Sequence, residues 1–203
     1  MKNPWTKIPA EEYEQHMLEV GQLQLINSTF KNYLHLYKPR DIIILGATTG
    51  NGFENIDDKI NSITAIDINN DYLIELKNRF PNLQHLSTIC GDIQHLKTTR
   101  LSSDFIYAAL IFEYVNLNKT ILNIKSWLKS RGKLVTVLQM PNENISAVSP
   151  SRFKSVGQLN EIMKLVNIPY FEEVMIENNF SKEESKIITL QSGKQFYIGV
   201  HSK

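Results

Sequence analysis

The sequence predicts a doubly wound α/β fold: a mostly parallel seven-stranded sheet with helices on both faces and a C-terminal antiparallel hairpin. Three observations lead to this fold class. Branched apolar runs alternate with helical periodicity between residues 41 and 140, which is typical of parallel strands joined by helices. A glycine-rich turn follows the first apolar run. The last two runs are separated only by a turn at Ser192-Gly193, which indicates a hairpin.

The composition fits a single globular domain, because the 203 residues are 42% hydrophobic and 21% charged. A formal net charge of +1 gives no electrostatic argument for a nucleic-acid or membrane partner. The single cysteine excludes an internal disulfide, and neither a signal-sequence pattern nor an apolar run of the ~18 residues of a membrane helix is present. We therefore expect a cytoplasmic protein that binds neither nucleic acid nor membrane.

The first half of the chain is predicted to contain a long helix and then three strands. Apolar residues spaced by three and four predict helix over residues 11–37, interrupted near Asn27-Ser28. A continuous branched run at 42–45, ended by Gly46, is typical of a strand buried on both faces. Turn-forming residues and the spacing of apolar residues then predict a strand at 62–67, a helix at 70–80 and a strand at 86–90.

The second half continues the alternation and then departs from it. A strand is predicted at 105–110, an amphipathic helix at 116–129 and a strand at 133–138. Residues 141–169 contain several turn formers and one helical stretch at 156–166, more chain than a plain crossover requires, so we expect an insertion there. A helix at 171–178 and hairpin strands at 186–190 and 194–200 complete the predicted sheet.

Three polar or glycine-rich motifs follow the first three strands. The turn Gly46-Ala47-Thr48-Thr49-Gly50, which we expect to precede a helix, has small residues that let backbone N–H groups approach a ligand. Asp67 ends the next strand about 20 residues later, the spacing at which a carboxylate accepts hydrogen bonds from ribose hydroxyls. Asp92-Ile93 follows the third strand with a carboxylate and an apolar neighbour suited to the edge and face of an adenine. Without a ligand, the same residues would serve as a tight turn and as helix caps.

Taken together, these motifs resemble those of the class I S-adenosylmethionine-dependent methyltransferases, whose first motif is an acidic residue, a spacer and then Gly-x-Gly-x-Gly. Gly46 and Gly50 match the first and third glycines, whereas Thr48 replaces the second and Ile44 replaces the acid. The resemblance covers about residues 41–139 and 170–201. It implies S-adenosyl-L-methionine as the cofactor and methyl transfer to a small-molecule acceptor by in-line displacement.

The resemblance also implies a set of cofactor contacts. Ala108, Ala109 and Leu110 match the family position that lines the methionyl part of the cofactor, and Tyr13 lies on a helix that in this family commonly folds over the cofactor. The full expected set is Gly46, Ala47, Thr48, Gly50, Asp67, Ile68, Asp92, Ile93, Ala108, Ala109 and Tyr13. In-line displacement requires no fixed catalytic dyad, so no catalytic residue is predicted; the nearest candidates for a general base are Glu113, Tyr114, Tyr13 and His16.

The expected organisation is one methyltransferase domain over residues 1–203. Within it, residues 1–40 form a helical lid, 41–140 the cofactor-binding core, 141–169 an insertion over the acceptor site, and 170–203 the C-terminal helix and hairpin. The five histidines lack the paired spacing of a metal site, so no metal is predicted.

Two alternatives remain open from the sequence. Gly46-Ala47-Thr48-Thr49-Gly50 also resembles the turn of NAD(P)-binding short-chain dehydrogenases, although some 40 residues precede the first strand and no tyrosine has a lysine four positions later. The replacements at Ile44 and Thr48 also fit a non-catalytic protein that kept the fold for cofactor binding or interaction.

Overall fold

A computed structural model describes residues 3–96, 98 and 100–203 of the chain. The strands form one seven-stranded sheet in the order β3-β2-β1-β4-β5-β7-β6. The first five strands pair in parallel, and β7 runs antiparallel to both of its neighbours. The predicted fold class is confirmed, including the C-terminal hairpin.

The strands match the predicted positions, and the later ones extend beyond them. Their bounds are β1 Asp41–Leu45, β2 Ser62–Asp67, β3 Leu86–Cys90, β4 Ser103–Ala109, β5 Leu128–Gln139, β6 Ser181–Thr189 and β7 Gln195–Ser202. The helices are α1 Ala10–Glu19, α2 Gln22–Tyr37, α3 Asn70–Arg79, α4 Leu117–Trp127, α5 Lys154–Gly157 and α6 Ile168–Glu177, with short 3-10 helices at Pro4–Thr6, Phe53–Asn55 and Gln158–Glu161. In the described residues, no helix is both long enough and apolar enough to cross a membrane.

Two hydrophobic clusters cover the two faces of the sheet. On one face, α2 and α3 pack against alternate residues of β1 such as Ile42 and Ile44. On the other face, α4 and α6 pack against Ile43 and Leu45. Because both side-chain directions of β1 are buried, its continuous apolar sequence follows directly from its central place in the sheet. The order of the strands reverses between β1 and β4, the point at which open α/β sheets bind ligands.

The N-terminal helix is interrupted at a different place from the one predicted. The break falls at Gly21, which adopts a left-handed φ of 74°, and α2 then continues through Asn27-Ser28. Ser28 donates its hydroxyl hydrogen to the Leu25 carbonyl one turn earlier, so the polar pair is accommodated inside the helix.

No α-helix follows the glycine-rich turn, contrary to the expectation from the sequence. The chain forms only the 3-10 helix Phe53–Asn55 before β2. Gly50 and Gly52 have φ of 84° and 90°, which a right-handed helix does not allow. Phe30 of α2 packs against Phe53 here, so α2 covers this part of the sheet instead.

The predicted helix at 156–166 is also shorter than expected. Helical structure is confined to α5 and the adjoining 3-10 helix, which ends at Glu161. Beyond it, Lys164 donates its backbone N–H to the Glu113 carbonyl at 2.8 Å, which ties this segment to the loop after β4.

Candidate functional site

A cavity opens at the carboxyl ends of β1, β2, β3 and β4. The space between its walls, part of it open to solvent, amounts to about 630 Å³. Of the eleven residues expected to contact a cofactor, it brings together eight: Tyr13, Gly46, Thr48, Asp67, Ile68, Asp92, Ile93 and Ala109. We call it the first cavity.

The glycine-rich turn closes one side of the first cavity. Gly46 has φ of 67°, and a Cβ added there would lie 3.1 Å from the Ile111 side chain. Thr48 also has a left-handed φ, of 47°, a conformation that costs a β-branched residue free energy. Its backbone N–H donates to Asp67 Oδ2 at 2.9 Å, and this bond ties the turn to the end of β2.

Asp67 is held in place by the backbone. Its side chain accepts N–H groups from Thr48 on one oxygen and from Asn69, at 2.8 Å, on the other. The residue is only 7% exposed, and burial raises the pKa of its carboxyl to about 6, although these backbone hydrogen bonds oppose the rise. Each carboxylate oxygen still has lone pairs for a further donor from the cavity.

Asp92 and its neighbours form the wall beyond β3. Asp92 Oδ1 accepts both the backbone N–H of Gln94 at 2.9 Å and its side-chain amide at 3.0 Å. Gln94 Oε1 in turn accepts the Asn116 N–H at 2.6 Å. Gln94 lines the first cavity beside Ile93; the glutamine is a wall residue that the sequence motif did not single out.

Three expected contacts lie outside the first cavity. Ala108 is fully buried in the core beneath it. Ala47 lines a smaller neighbouring cavity. Gly50 packs against α3, and a Cβ there would lie 2.9 Å from Phe80 and 3.0 Å from Leu76. Gly50 therefore permits a close approach between the turn and α3.

Aromatic side chains cover the first cavity. Trp5 and Tyr13 meet edge to face with ring centroids 5.1 Å apart, and Trp5 meets Tyr114 in the same way at 5.0 Å. Asn69 donates its side-chain amide to the Trp5 carbonyl at 2.9 Å, which fastens the N-terminal segment over the end of β2. Trp5 and Asn3 were missed by sequence reasoning, because they lie far from every strand and belong to no periodic segment.

A second cavity adjoins the first across this aromatic wall. Trp5, Tyr13, Tyr114 and Leu110 line both cavities. The remaining wall of the second cavity comes from α1, α2, the end of β5 and the 147–163 segment: His16, Met17, Gln22, Gln139, Ala147, Val148, Ser149, Val156, Leu159 and Met163.

Helix α1 is joined to both the core and the 141–169 segment by polar contacts. Glu14 accepts hydrogen bonds from Thr49 in the glycine-rich turn and from Arg79 of α3. Glu12 accepts a hydrogen bond from Ser155 at α5. A third hydrophobic cluster lies between these segments and includes Ile8, Val148, Val156 and Leu159, with Trp5, Tyr13 and Tyr114 packed against it.

The four candidates for a general base differ in position. Tyr13 and Tyr114 line both cavities, and burial raises the pKa of each phenol. His16 lines the second cavity, and burial lowers the pKa of its imidazole. Glu113 is only 1% exposed; Oε1 accepts the Gln139 N–H at 2.7 Å, Oε2 has no partner among the described residues, and burial raises its pKa to about 7.

Comparison with known proteins places this geometry in context. Residues 43–136 match a protein family described as a methyltransferase domain. Comparison with curated protein sequences gave no match.

Among solved structures, the N-methyltransferase NodS from Bradyrhizobium japonicum, in complex with S-adenosylhomocysteine, matches with a TM-score of 0.65 and 17% identity over 100% of this chain and 93% of its own. A SAM-dependent methyltransferase from Methanosarcina mazei matches with a TM-score of 0.63 and 14% identity, over 80% of this chain and 92% of its own. The [4+2]-cyclase SpnF matches with a TM-score of 0.63 and 12% identity, over 80% and 75%. At these identities the likeness establishes the fold.

Proposed function

Because residues 43–136 match a methyltransferase-domain family and the chain has the fold of class I S-adenosylmethionine-dependent methyltransferases, we propose that this chain transfers the methyl group of S-adenosylmethionine to a small-molecule acceptor. The observation that carries the proposal is the first cavity, where Gly46, Asp67 and Asp92 converge from the ends of three strands. One of the matching solved structures, NodS, contains S-adenosylhomocysteine, and this supports S-adenosylmethionine as the cofactor.

The first cavity fits this cofactor chemically. Asp67 would accept hydrogen bonds from the ribose hydroxyls, since each of its oxygens has a free lone pair. Ile68 and Ile93 provide apolar surface for the adenine, with Asp92 at its polar edge. Gly46 and Ala109 leave room beside β1 and β4 for the methionyl part.

S-adenosylmethionine supplies a methyl group on a positively charged sulfur, which an acceptor displaces in line. The chain's own task is to align that acceptor and exclude water. Trp5, Tyr13 and Tyr114 stand between the two cavities, where their ring faces favour a nearby cation. Burial is the main cause of the raised pKa of both phenols, and the charge of the buried Glu113 carboxyl adds to it. Because the pKa of Glu113 is itself raised to about 7, this carboxyl adds negative potential at the wall only when it is ionised.

We assign the second cavity to the acceptor, because it meets the first at this wall. Its lining of α1 residues, the end of β5 and the 147–163 segment is mainly apolar, which suits a small organic acceptor. We further propose that the N-terminal segment through α1, together with the 141–169 segment, forms a lid over both cavities. Helix α2 is not part of the proposed lid, since it packs on the sheet. A cytoplasmic location remains part of the proposal.

Two rival functions are separated by a binding and turnover experiment. Calorimetric titration should detect S-adenosylmethionine and S-adenosylhomocysteine binding, with NAD and NADP weaker. Tighter binding of a nicotinamide cofactor would overturn the methyltransferase assignment in favour of a dehydrogenase-like protein. A broad acceptor screen that follows S-adenosylhomocysteine formation should then find turnover. Binding without turnover of any acceptor would favour a non-catalytic protein or another reaction, as the cyclase SpnF illustrates for this fold.

A further inference from the structure

Lys194 is a buried cation without a counter-ion. It is the residue immediately before β7 and is only 3% exposed. Its Nζ donates a hydrogen bond to the Ala147 carbonyl at 2.6 Å. In the part of the chain that the structure describes, no carboxylate forms an ion pair with it. Burial of an unpaired ammonium is strongly unfavourable, and accordingly burial lowers the pKa of Lys194 to about 8.

The hydrogen bond to Ala147 does not explain why a lysine is buried here. The Ala147 carbonyl also accepts the side-chain amide of Gln139 at 2.8 Å, so it has a partner without the lysine. An ammonium has three donors, and two of those on Lys194 have no acceptor among the described residues. Glu113 also contacts Gln139, but burial raises the pKa of its carboxyl, the opposite of what pairing with Lys194 would cause.

The ammonium is connected to the second cavity through its hydrogen-bond partner Ala147, while Lys194 itself is not a lining residue. Both Ala147 and Gln139 line that cavity, as does His16. The positive charge of Lys194 contributes to lowering the pKa of His16, so the two groups share one electrostatic environment. The rest of this wall is mainly apolar, with Met17, Val148, Val156, Leu159 and Met163.

We propose that the second cavity binds an acceptor with an apolar body and an oxyanion such as a carboxylate, and that Lys194 is the counter-ion of that oxyanion. The assignment rests on the proposed function, because only then is the occupant of this cavity a methyl acceptor. An oxyanion held at the Ala147 end supplies the missing partner of the ammonium. The apolar body then extends along the cavity toward Tyr13 and Tyr114, across which the first cavity lies.

Benzoate and benzamide are suitable probes, because they have the same shape and differ in charge. Their binding is measured by the fluorescence of Trp5, which lines both cavities, with and without S-adenosylhomocysteine and at constant ionic strength. Trp127 is buried in the core and provides a constant background. Wild-type protein should bind benzoate at least about tenfold more tightly than benzamide, the scale of one charge-assisted hydrogen bond.

Lys194→Met should lose this preference and bind both probes alike, whereas Lys186→Met should keep it. Lys186 is the matched control, an exposed lysine on the same hairpin. Lys194→Met should also be at least as resistant to urea as the wild type, because it removes an unpaired buried charge while Gln139 still serves Ala147. A purely structural lysine would instead make this variant less stable and leave the benzoate preference intact.

Equal affinity of wild-type protein for the two probes, binding of neither, or an unchanged preference in Lys194→Met would overturn the assignment. S-adenosylhomocysteine binding is titrated separately in the same samples. Its failure would defeat the proposed function, while the benzoate measurement without that ligand still decides the role of Lys194.

Discussion

Lowering the pH should weaken S-adenosylhomocysteine binding through Asp67. Burial raises the pKa of this carboxyl to about 6 in the protein without ligand. A ribose hydroxyl donates to the ionised carboxylate, so protonation removes an acceptor. Binding is strongest well above this pKa and declines progressively as the pH falls through it and below it.

The size of the effect follows from the ionised fraction. At pH 5, one unit below the pKa of about 6, only about a tenth of the Asp67 side chains are ionised, whereas at pH 7.5 nearly all are. The dissociation constant should therefore rise about tenfold between pH 7.5 and pH 5, or about 1.4 kcal/mol. Asp67→Ala should weaken binding at pH 7.5 by about 1 to 3 kcal/mol, since the ribose hydroxyls then lose a charged partner.

Isothermal titration calorimetry at the two pH values provides the test. Asp67→Ala should show weak binding with little pH dependence, while Asp58→Ala, which changes an exposed carboxylate outside the cavity, should behave as the wild type. A tenfold pH effect that persists in folded Asp67→Ala would assign the titration to another group, such as Glu113. Unchanged affinity in Asp67→Ala at pH 7.5 would remove Asp67 from the site.

Three further perturbations test other parts of the structure. Burial raises the pKa of Glu113 from 4.5 to about 7, so the wild-type protein loses stability as this carboxyl ionises with rising pH. Between pH 4.5 and pH 8, the unfolding free energy of Glu113→Gln should therefore rise by up to about 3 kcal/mol relative to the wild type, as measured by urea denaturation. A difference that does not change with pH would contradict this. Gly50→Ala should lower the unfolding free energy by about 1 to 3 kcal/mol, because φ is 84° and the added Cβ would lie 2.9 Å from Phe80. The folded variant should still bind S-adenosylhomocysteine with unchanged affinity. Weaker binding would show that Gly50 belongs to the cofactor site. Hydrogen exchange over residues 3–20 and 148–163 should slow when S-adenosylhomocysteine is added, and equal exchange at saturating occupancy would rule out the lid.

The sheet was predictable because burial and strand order leave direct traces in the sequence. A strand such as β1, buried on both faces, must be apolar throughout, and its residues 42–45 are. The positions of Asp67 and Asp92 followed from the predicted strand ends, since Asp67 ends β2 and Asp92 lies two residues after the end of β3. Their convergence on one cavity depends only on parallel pairing.

Helix boundaries were less predictable, because they depend on backbone conformation and distant packing. Gly21 interrupts the N-terminal helix through its left-handed φ, while Asn27-Ser28 is tolerated by a local hydrogen bond. The helix expected after the glycine-rich turn is absent, and Phe30, more than 20 residues earlier in the chain, packs into that region. The local spacing of apolar residues does not show that a distant helix, and not a local one, covers this part of the sheet.

The polar and aromatic residues that cover the site could not be predicted from the sequence, because their positions also depend on distant contacts. Trp5 and Asn3 reach the first cavity through a hydrogen bond between Asn69 and the Trp5 backbone, which no spacing rule predicts. Lys194 stands in a hairpin sequence next to Ser192-Gly193, where a lysine is ordinarily solvated. Its burial depends on the distant 141–169 segment, whose Ala147 carbonyl accepts a hydrogen bond from the ammonium.

A crystal structure of the chain grown with S-adenosylhomocysteine tests the central claim most directly. The account predicts the ribose hydroxyls within hydrogen-bond distance of Asp67, the adenine between Ile68 and Ile93, and the amino-acid end beside Gly46, with Trp5 closed over the ligand. Electron density for the ligand at any other place on the chain, or a first cavity that stays empty in crystals grown with saturating ligand, would contradict it.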